Sequence, residues 1–205
     1  MRFYYLEMVG TAIFAITGVL AVNRRGLDVI GAVVLGIVTA LGGGTLRDLI
    51  IGTTPLWIAD FNYVWSALAG ALAAFWIGSS FRNVFRALLY LDAVGAALFA
   101  VGAANKVLVL GLSGPVAVTM GVLTGIGGGL IRDVLAGRQT LLMSREIYAT
   151  PILIGCMVFV ALRRWVPGFE YPGVVAFTII FGVRALAIYR HLEMPVWLTN
   201  RDDTR

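Results

Sequence analysis

The heptapeptides GGGTLRD (residues 42–48) and GGGLIRD (residues 127–133) follow one pattern, and each lies inside a long apolar stretch of the chain. Three consecutive glycines weaken an α-helix, since each costs about 1 kcal/mol relative to alanine. In a membrane, unwound backbone is tolerated only where protein or a water-filled cavity satisfies its polar groups. Each heptapeptide therefore predicts a helix that is broken inside the membrane and presents free carbonyl groups to a small cation.

The two heptapeptides are part of an internal repeat in which residues 85 positions apart match. The matched pairs include Glu7 with Asp92, Gly36 with Gly121, Thr39 with Thr124, Gly52 with Gly137, and Tyr63 with Tyr148. They keep one register without gaps, and they involve glycine, charged and aromatic residues rather than interchangeable aliphatic ones. Chance does not explain this pattern, so the chain consists of two related halves.

The composition excludes an ordinary water-soluble protein. Hydrophobic residues make up 60% of the 205 residues and charged residues 13%, against roughly half and a quarter in typical globular proteins. The formal charge of +5 does not indicate a nucleic-acid partner, because the basic residues are scattered between apolar runs, as at the ends of membrane spans. The sequence also lacks a Cys/His metal spacing, a phosphate-binding loop and a nucleophile near a histidine. We therefore expect neither an enzyme nor a bound cofactor or metal.

Seven apolar stretches are long enough to cross a membrane. They cover approximately residues 3–22, 28–51, 61–80, 84–104, 113–136, 146–163 and 172–190. This pattern predicts an all-α membrane protein with a single transmembrane domain at residues 1–191. The domain would consist of a first repeat at about 3–80, a second repeat at about 84–163 and an extra helix at about 172–190, followed by a cytoplasmic tail at 192–205.

The repeat is expected to be inverted, because each half contains three spans and the second half therefore enters the membrane from the opposite side. Of the basic residues outside the spans, nine lie on the side of the C-terminus and four on the other side. The positive-inside rule then places the C-terminus in the cytoplasm and the N-terminus outside. Inverted repeats of this kind are typical of transport proteins that hold their substrate near the midplane.

Two interpretations of the glycine triplets remain open at this point. Matched positions in inverted halves favour a role in lining a pathway, whereas small residues also allow close packing of helices. The residues concerned are Gly42, Gly43 and Gly44 in the first half and Gly127, Gly128 and Gly129 in the second. Thr39 and Thr124 precede the triplets by about one helical turn, and their hydroxyl groups either face the pathway or bond the carbonyl four residues earlier.

Four charges inside the spans need partners, since an unpaired charge in hydrocarbon is unfavourable. Sequence neighbours point away from each other on a helix. The two-fold relation of the halves therefore predicts cross-pairing of Arg47 with Asp133 and of Arg132 with Asp48. We expect these pairs to support the pathway, and the aspartates could also attract cations.

Three further charges have more than one interpretation. Lys106, the single lysine, ends the fourth span. It is an interface anchor or, alternatively, a voltage-sensitive gate or a contact to a lipid phosphate. Glu7 and Asp92 lie near the ends of their spans, where they either cap a helix or ring an entrance.

With its seven spans, its inverted repeat and its doubled GGGxxRD pattern, the chain resembles the prokaryotic branch of the trimeric intracellular cation (TRIC) channel family over nearly its whole length, to about His191. The resemblance implies a homotrimer in a prokaryotic inner membrane, surrounded by lipids, with a pore in each protomer. It also implies that potassium and, less selectively, sodium permeate between the second and fifth helices, which would bend at the triplets.

The resemblance also bears on regulation and on the alternatives. Animal members of the family carry a Lys-Glu-Val motif associated with lipid binding and gating, for which Asn105-Lys106-Val107 is a weak counterpart. The bacterial family has also been described as a glycine transporter. The sequence therefore favours a potassium-permeable cation channel, with secondary transport of a small zwitterion such as glycine as the alternative. A structural protein whose glycines only permit packing is the third hypothesis.

Overall fold

The computed structural model describes residues 2–23, 26–78, 83–144 and 146–194. Within these residues the chain forms eight α-helices: α1 (Arg2–Val22), α2 (Val29–Ile50), α3 (Leu56–Ala59), α4 (Asn62–Ile77), α5 (Val84–Val109), α6 (Gly114–Leu135), α7 (Ala149–Trp165) and α8 (Pro172–Arg190). A 3₁₀ turn at Leu141–Met143 lies between α6 and α7. Several arginines that decide the predicted orientation lie outside the described residues, as does the predicted tail from residue 195 onward: Arg24, Arg25, Arg82, Arg145, Arg201 and Arg205.

Each predicted span coincides with one of the longer helices, and only the four-residue α3 was not expected. Five helices, namely α1, α2, α5, α6 and α8, are long and apolar enough to cross a membrane. The helices α4 and α7 are shorter, with 16 and 17 residues, which is close to the lower limit for a spanning helix. The all-helical fold class is therefore confirmed.

The helices α2 and α6 end in the same way, which makes the repeat visible in the backbone. Gly52 and Gly137 follow these helices with φ angles of 70° and 54°, a left-handed conformation that glycine adopts readily. The residue after each glycine donates its amide N–H to the carbonyl oxygen of Asp48 or Asp133, at 2.8 Å in both halves. This hydrogen bond is typical of helices that end at a glycine.

The rings of Phe14 in α1 and Phe99 in α5 lie where the two halves meet. These two residues are a matched pair of the repeat, and their buried rings stack at a centroid distance of 5.3 Å with an interplanar angle of 10°. Around them, α1 packs against α2, α4 and α5, while α6 packs against α2, α5 and α7. The last helix, α8, packs against α5 and α7. It therefore adds to the second half and has no counterpart in the first.

The predicted breaks in the second and fifth spans are wrong. Both α2 and α6 continue through their glycine triplets as α-helices, and the described glycines with a left-handed conformation all lie outside the triplets. Glycine weakens a helix without forbidding it, and close packing of α2 against α6 offsets the weakness. In the described conformation the triplets serve close packing of the two helices, and their role in lining a pathway stays a prediction.

Candidate functional site

The helices α2 and α6 meet backbone to backbone at their glycine triplets. We call this contact the glycine crossing; it comprises residues 42–44 and 127–129. A methyl group added at Gly43 would lie 2.7 Å from the carbonyl oxygen of Thr124, and one added at Gly128 would lie 2.6 Å from the carbonyl oxygen of Thr39. The two contacts are related by the repeat. Only glycine fits at these two positions while the helices remain this close.

The two threonines beside the crossing differ in their hydroxyl groups, although both are buried. The Thr39 hydroxyl donates to the carbonyl oxygen of Leu35 at 2.7 Å, which is the bond to the preceding helical turn that the sequence left as one alternative. The Thr124 hydroxyl has no hydrogen-bond partner among the described residues. The backbone carbonyls of both residues lie at the contact between the helices.

The first charge cluster comprises Glu7, Arg47, Asp48, Tyr63 and Lys106. The Nε of Arg47 and the Nζ of Lys106 both donate to Oδ1 of Asp48, at 2.7 and 2.8 Å. The Tyr63 hydroxyl donates to Oε2 of Glu7 at 3.0 Å. The other Glu7 oxygen lies 4.0 Å from Nη1 of Arg47. Within the described part of the chain, neither Nη1 nor Nη2 of Arg47 makes a hydrogen bond.

The second charge cluster comprises Thr17, Asp92, Arg132, Asp133 and Tyr148. The Nε of Arg132 donates to Oδ1 of Asp133 at 2.9 Å. Its Nη1 donates to Oδ1 of Asp92 at 2.7 Å and to the Thr17 hydroxyl at 3.1 Å. The Tyr148 hydroxyl is buried without a hydrogen-bond partner among the described residues. In both clusters the arginine thus binds the aspartate that follows it, whereas its further partners differ between the halves.

The predicted cross-pairing is wrong, because each arginine binds the aspartate next to it. Arg47 pairs with Asp48 and Arg132 pairs with Asp133, and among the described residues no ion pair joins Arg47 to Asp133 or Arg132 to Asp48. The rule that neighbours diverge describes the Cα–Cβ directions. It does not restrain the end of an arginine side chain, which is long enough to fold back to the following carboxylate.

The remaining oxygen of each aspartate holds the segment that follows the helix. Oδ2 of Asp48 accepts from the backbone amide of Leu56, and Oδ2 of Asp133 accepts from that of Leu141, both at 3.0 Å. Leu56 begins α3, and Leu141 begins the 3₁₀ turn. All four charges of the two Arg-Asp pairs are at most 3% exposed. They therefore form a buried framework for these segments.

The two ends of the glycine crossing differ in free space. A methyl group at Gly44 would touch only Leu56 Cδ1, at 3.7 Å. Beside Gly44 lies a cavity of about 10 Å³ whose polar lining includes Thr11 and Thr45, which is room for about one water molecule. A methyl group at Gly129 would instead lie 3.0 Å from both Oδ1 of Asp92 and the Tyr148 hydroxyl.

Sequence reasoning missed the tyrosines as parts of these clusters and Arg184 as a neighbour of the second one. Arg184 of α8 is buried, and its guanidinium lies 4.7 Å from the ring centroid of Tyr148. The signals were present: Tyr63 and Tyr148 match across the repeat, and Arg184 stands inside an apolar helix. Glu7 and Asp92 are partners of the buried arginines, so neither of the two roles expected for them describes their contacts. Lys106 forms an ion pair with Asp48, and its side chain is 25% exposed.

A family model described as "Glycine transporter" matches the chain twice, at residues 4–79 and 89–164. These two ranges begin and end 85 residues apart, in agreement with the repeat. The inner membrane protein YadS of Escherichia coli is 37% identical over 200 residues, which cover 96% of this chain and 97% of that protein. A membrane protein of Vibrio cholerae is 43% identical over 154 residues, and the matched part covers 74% of this chain and 64% of that protein's length.

The crystal structure of the TRIC trimeric intracellular cation channel orthologue from Rhodobacter sphaeroides is similar over 93% of this chain and 99% of that chain, with a TM-score of 0.89 and 38% sequence identity. The fold, the doubled match of the family model and these relatives agree. The chain is a membrane protein of the glycine transporter family, which is the family of the TRIC channels.

Proposed function

We propose that the chain is a potassium-permeable cation channel with one pore in each protomer, which runs along the glycine crossing of α2 and α6. One observation carries this proposal: the carbonyl oxygens of Thr39 and Thr124 lie against Gly128 and Gly43 at the contact of the two halves. A backbone carbonyl keeps a second lone pair when it already accepts a helical hydrogen bond. If the helices separate, carbonyl oxygens from both halves become available to a dehydrating cation.

In the described conformation the crossing is closed, because the two backbones touch at Gly43 and Gly128. Conduction then requires α2 and α6 to move apart or to bend. The six triplet glycines favour such a change, since each makes the helix about 1 kcal/mol less stable than alanine would. The triplets thus serve close packing in the closed state and deformation in the open state.

The charges have supporting roles in this proposal. The pairs Arg47–Asp48 and Arg132–Asp133 hold the segments after α2 and α6 and so fix the ends of the pore helices. Lys106 is the most exposed charged member of the first charge cluster, which suits a movable gating contact or a contact to a lipid headgroup. Like the TRIC channels that it resembles, the protein would be a homotrimer in a prokaryotic inner membrane, with the C-terminus in the cytoplasm. Potassium, and less selectively sodium, would pass through the pore as the transported ion and would not be a resident ligand.

Secondary transport of glycine is the second candidate, and one contact favours it. Arg47 has two buried nitrogens, Nη1 and Nη2, without a hydrogen bond to any described residue, and the Glu7 carboxylate lies 4.0 Å from Nη1. A guanidinium beside a carboxylate complements the two charges of an amino-acid zwitterion. The description of the matching family model points to the same substrate.

Potassium flux into liposomes that contain the purified protein tests the pore location. Gly42→Leu places a large side chain at the crossing, where the nearest atom is the flexible end of Ile131, so the variant is expected to fold, remain oligomeric and lose flux. Gly182→Leu is the matched control, because a methyl group at this position of α8 would meet no atom within 4 Å. Flux that survives in an oligomeric Gly42→Leu protein would contradict a pore at the crossing.

The same liposomes separate the two candidate functions. A channel carries potassium in the absence of glycine, and its flux is unaffected by added glycine. Saturable uptake of labelled glycine that Arg47→Lys or Glu7→Gln abolishes would instead favour the transporter.

A further inference from the structure

Arg184 is a buried cation in the C-terminal half of α8, the helix that the first half lacks. It is 1% exposed and stands in an apolar helix that is long enough to span a membrane. A charge at such a position is unfavourable unless it has partners. An appended helix with a purely supporting role needs no arginine there, so the contacts of this side chain indicate what α8 does.

The Arg184 side chain holds three consecutive residues. Its Nη1 donates to the carbonyl oxygen of Ile147 at 3.0 Å and lies 3.7 Å from Oε2 of Glu146. Its guanidinium carbon lies 4.7 Å from the centroid of the Tyr148 ring, within the distance of a cation–π contact. One side chain of α8 thus fixes the end of the segment that connects α6 with α7.

Tyr148 is the residue whose position this arrangement decides. Its hydroxyl lies 3.0 Å from the place of a Gly129 methyl group, at the second-half end of the glycine crossing. In the first half, the matching Tyr63 is held by its own hydrogen bond to Glu7. Tyr148 has no such bond within the described residues, because Asp92 is one methylene shorter than Glu7 and directs its Oδ1 to Arg132. The ring of Tyr148 is therefore held by Arg184 instead.

The segment also has space into which it can move. Glu146, whose side chain is 29% exposed, lines a cavity of about 230 Å³ together with Arg86 of α5 and His191 at the end of α8. This cavity could receive Glu146 when its contact with Arg184 is released. The contacts of Arg184 are thus at the border between the buried second charge cluster and an open pocket.

We propose that Arg184 is a positioning residue that latches Tyr148 against Gly129, so that α8 keeps the second-half end of the glycine crossing closed. Opening of the pore then requires Tyr148 to leave this position. The effect on gating rests on the proposed channel function, whereas the effect on the segment 141–148 does not. The two are therefore measured separately.

Hydrogen–deuterium exchange of the purified protein in lipid nanodiscs tests the latch itself. We expect Arg184→Gln to speed backbone exchange in residues 141–148 about tenfold, as for the loss of one charge-assisted hydrogen bond. Exchange in the matching residues 56–63 of the first half should not change. Arg184→Lys, which keeps the charge above the Tyr148 ring but loses the planar fork, should give an intermediate increase and is the fallback if Arg184→Gln does not assemble.

Two tyrosine variants separate the latch from general destabilisation. Tyr148→Phe keeps the ring and removes only a hydroxyl that makes no hydrogen bond to a described residue, so exchange in residues 141–148 should stay as in the parent protein. Tyr148→Leu removes the ring and should raise exchange as Arg184→Gln does, and the double variant should add little to either. Unchanged exchange in Arg184→Gln, or an equal rise in both halves, would overturn the latch.

Potassium currents then test the consequence for gating. If the protein conducts, Arg184→Gln should raise the open fraction about tenfold at unchanged unitary conductance, because the pore itself is not altered. A lower open fraction would overturn the latch. If even the parent protein carries no current, the proposed channel function fails, while the exchange data still decide whether Arg184 holds Tyr148.

Discussion

In the first charge cluster the nearest Glu7 oxygen lies 4.0 Å from Arg47, whereas in the second the matching Asp92 oxygen lies 2.7 Å from Arg132. The second arginine also binds the Thr17 hydroxyl, while the first makes no equivalent bond to a described residue. At the end of the crossing beside the first cluster there is a small cavity, and at the other end Asp92 and a tyrosine fill the space. The two halves thus share one arrangement of charges, which is packed loosely in the first half and tightly in the second.

A few substitutions between the repeats account for this difference. Gly102 stands in the second half at the position that matches Thr17, so it offers no hydroxyl to Arg47, and Glu7 lies close to it, 2.9 Å from the place of an added methyl group. Among the residues that line the first-half cavity, Thr11, Thr45 and Trp57 carry a polar group. At the matching positions the second half has the apolar residues Ala96, Leu130 and Leu142. The asymmetry suggests that water reaches the crossing more easily from the first half.

Removing one aspartate from each cluster gives the largest expected effect. Asp48→Ala removes the carboxylate that Lys106 binds and leaves Arg47 with Glu7, 4.0 Å away, and should lower the free energy of unfolding by about 3–5 kcal/mol. Asp133→Ala leaves Arg132 with its short ion pair to Asp92 and should be less destabilising. Thermal unfolding in detergent measures both variants. A larger loss for Asp133→Ala would contradict the view that Arg132 is better paired than Arg47.

Alanine at the third glycine of each triplet should have effects of opposite sign. Gly129→Ala places a methyl group 3.0 Å from Asp92 and Tyr148 and should destabilise the protein by about 1–3 kcal/mol. Gly44→Ala meets only Leu56, at 3.7 Å, and should stabilise α2 by up to about 1 kcal/mol through helix propensity. The unfolding midpoints of the two variants check this comparison, and equal shifts would refute it.

Neutralising the partly exposed lysine should have the smallest effect. Lys106→Gln removes one of the two cations on Asp48, and Arg47 remains in place. Because the side chain is partly solvated, we expect a loss of stability of about 1 kcal/mol or less. Lys106→Arg keeps a cation at this position and serves as the control. A loss as large as that for Asp48→Ala would mean that Lys106 is part of the buried framework.

The sequence predicted the helices and the repeat because both rest on local patterns: long apolar runs and residues matched at one offset. It failed where a tertiary contact overrides a local tendency. The triplet at residues 42–44 stays helical because the facing triplet fits against it, and no property of the single segment reveals that fit. The Arg47–Asp48 contact depends on how the side chain folds back, which Cβ directions do not report. The contact of Arg184 with Tyr148 joins α8, which lies outside the repeat, to the segment before α7, so no offset could reveal it.

The proposed pore at the glycine crossing is tested most directly by unitary currents of the purified protein in planar lipid bilayers under a potassium chloride gradient. The account predicts discrete openings whose reversal potential lies close to the potassium equilibrium potential. It also predicts that Gly42→Leu abolishes these openings and that Gly182→Leu retains them. Saturable glycine uptake without any unitary current, or identical currents in both variants, would contradict it.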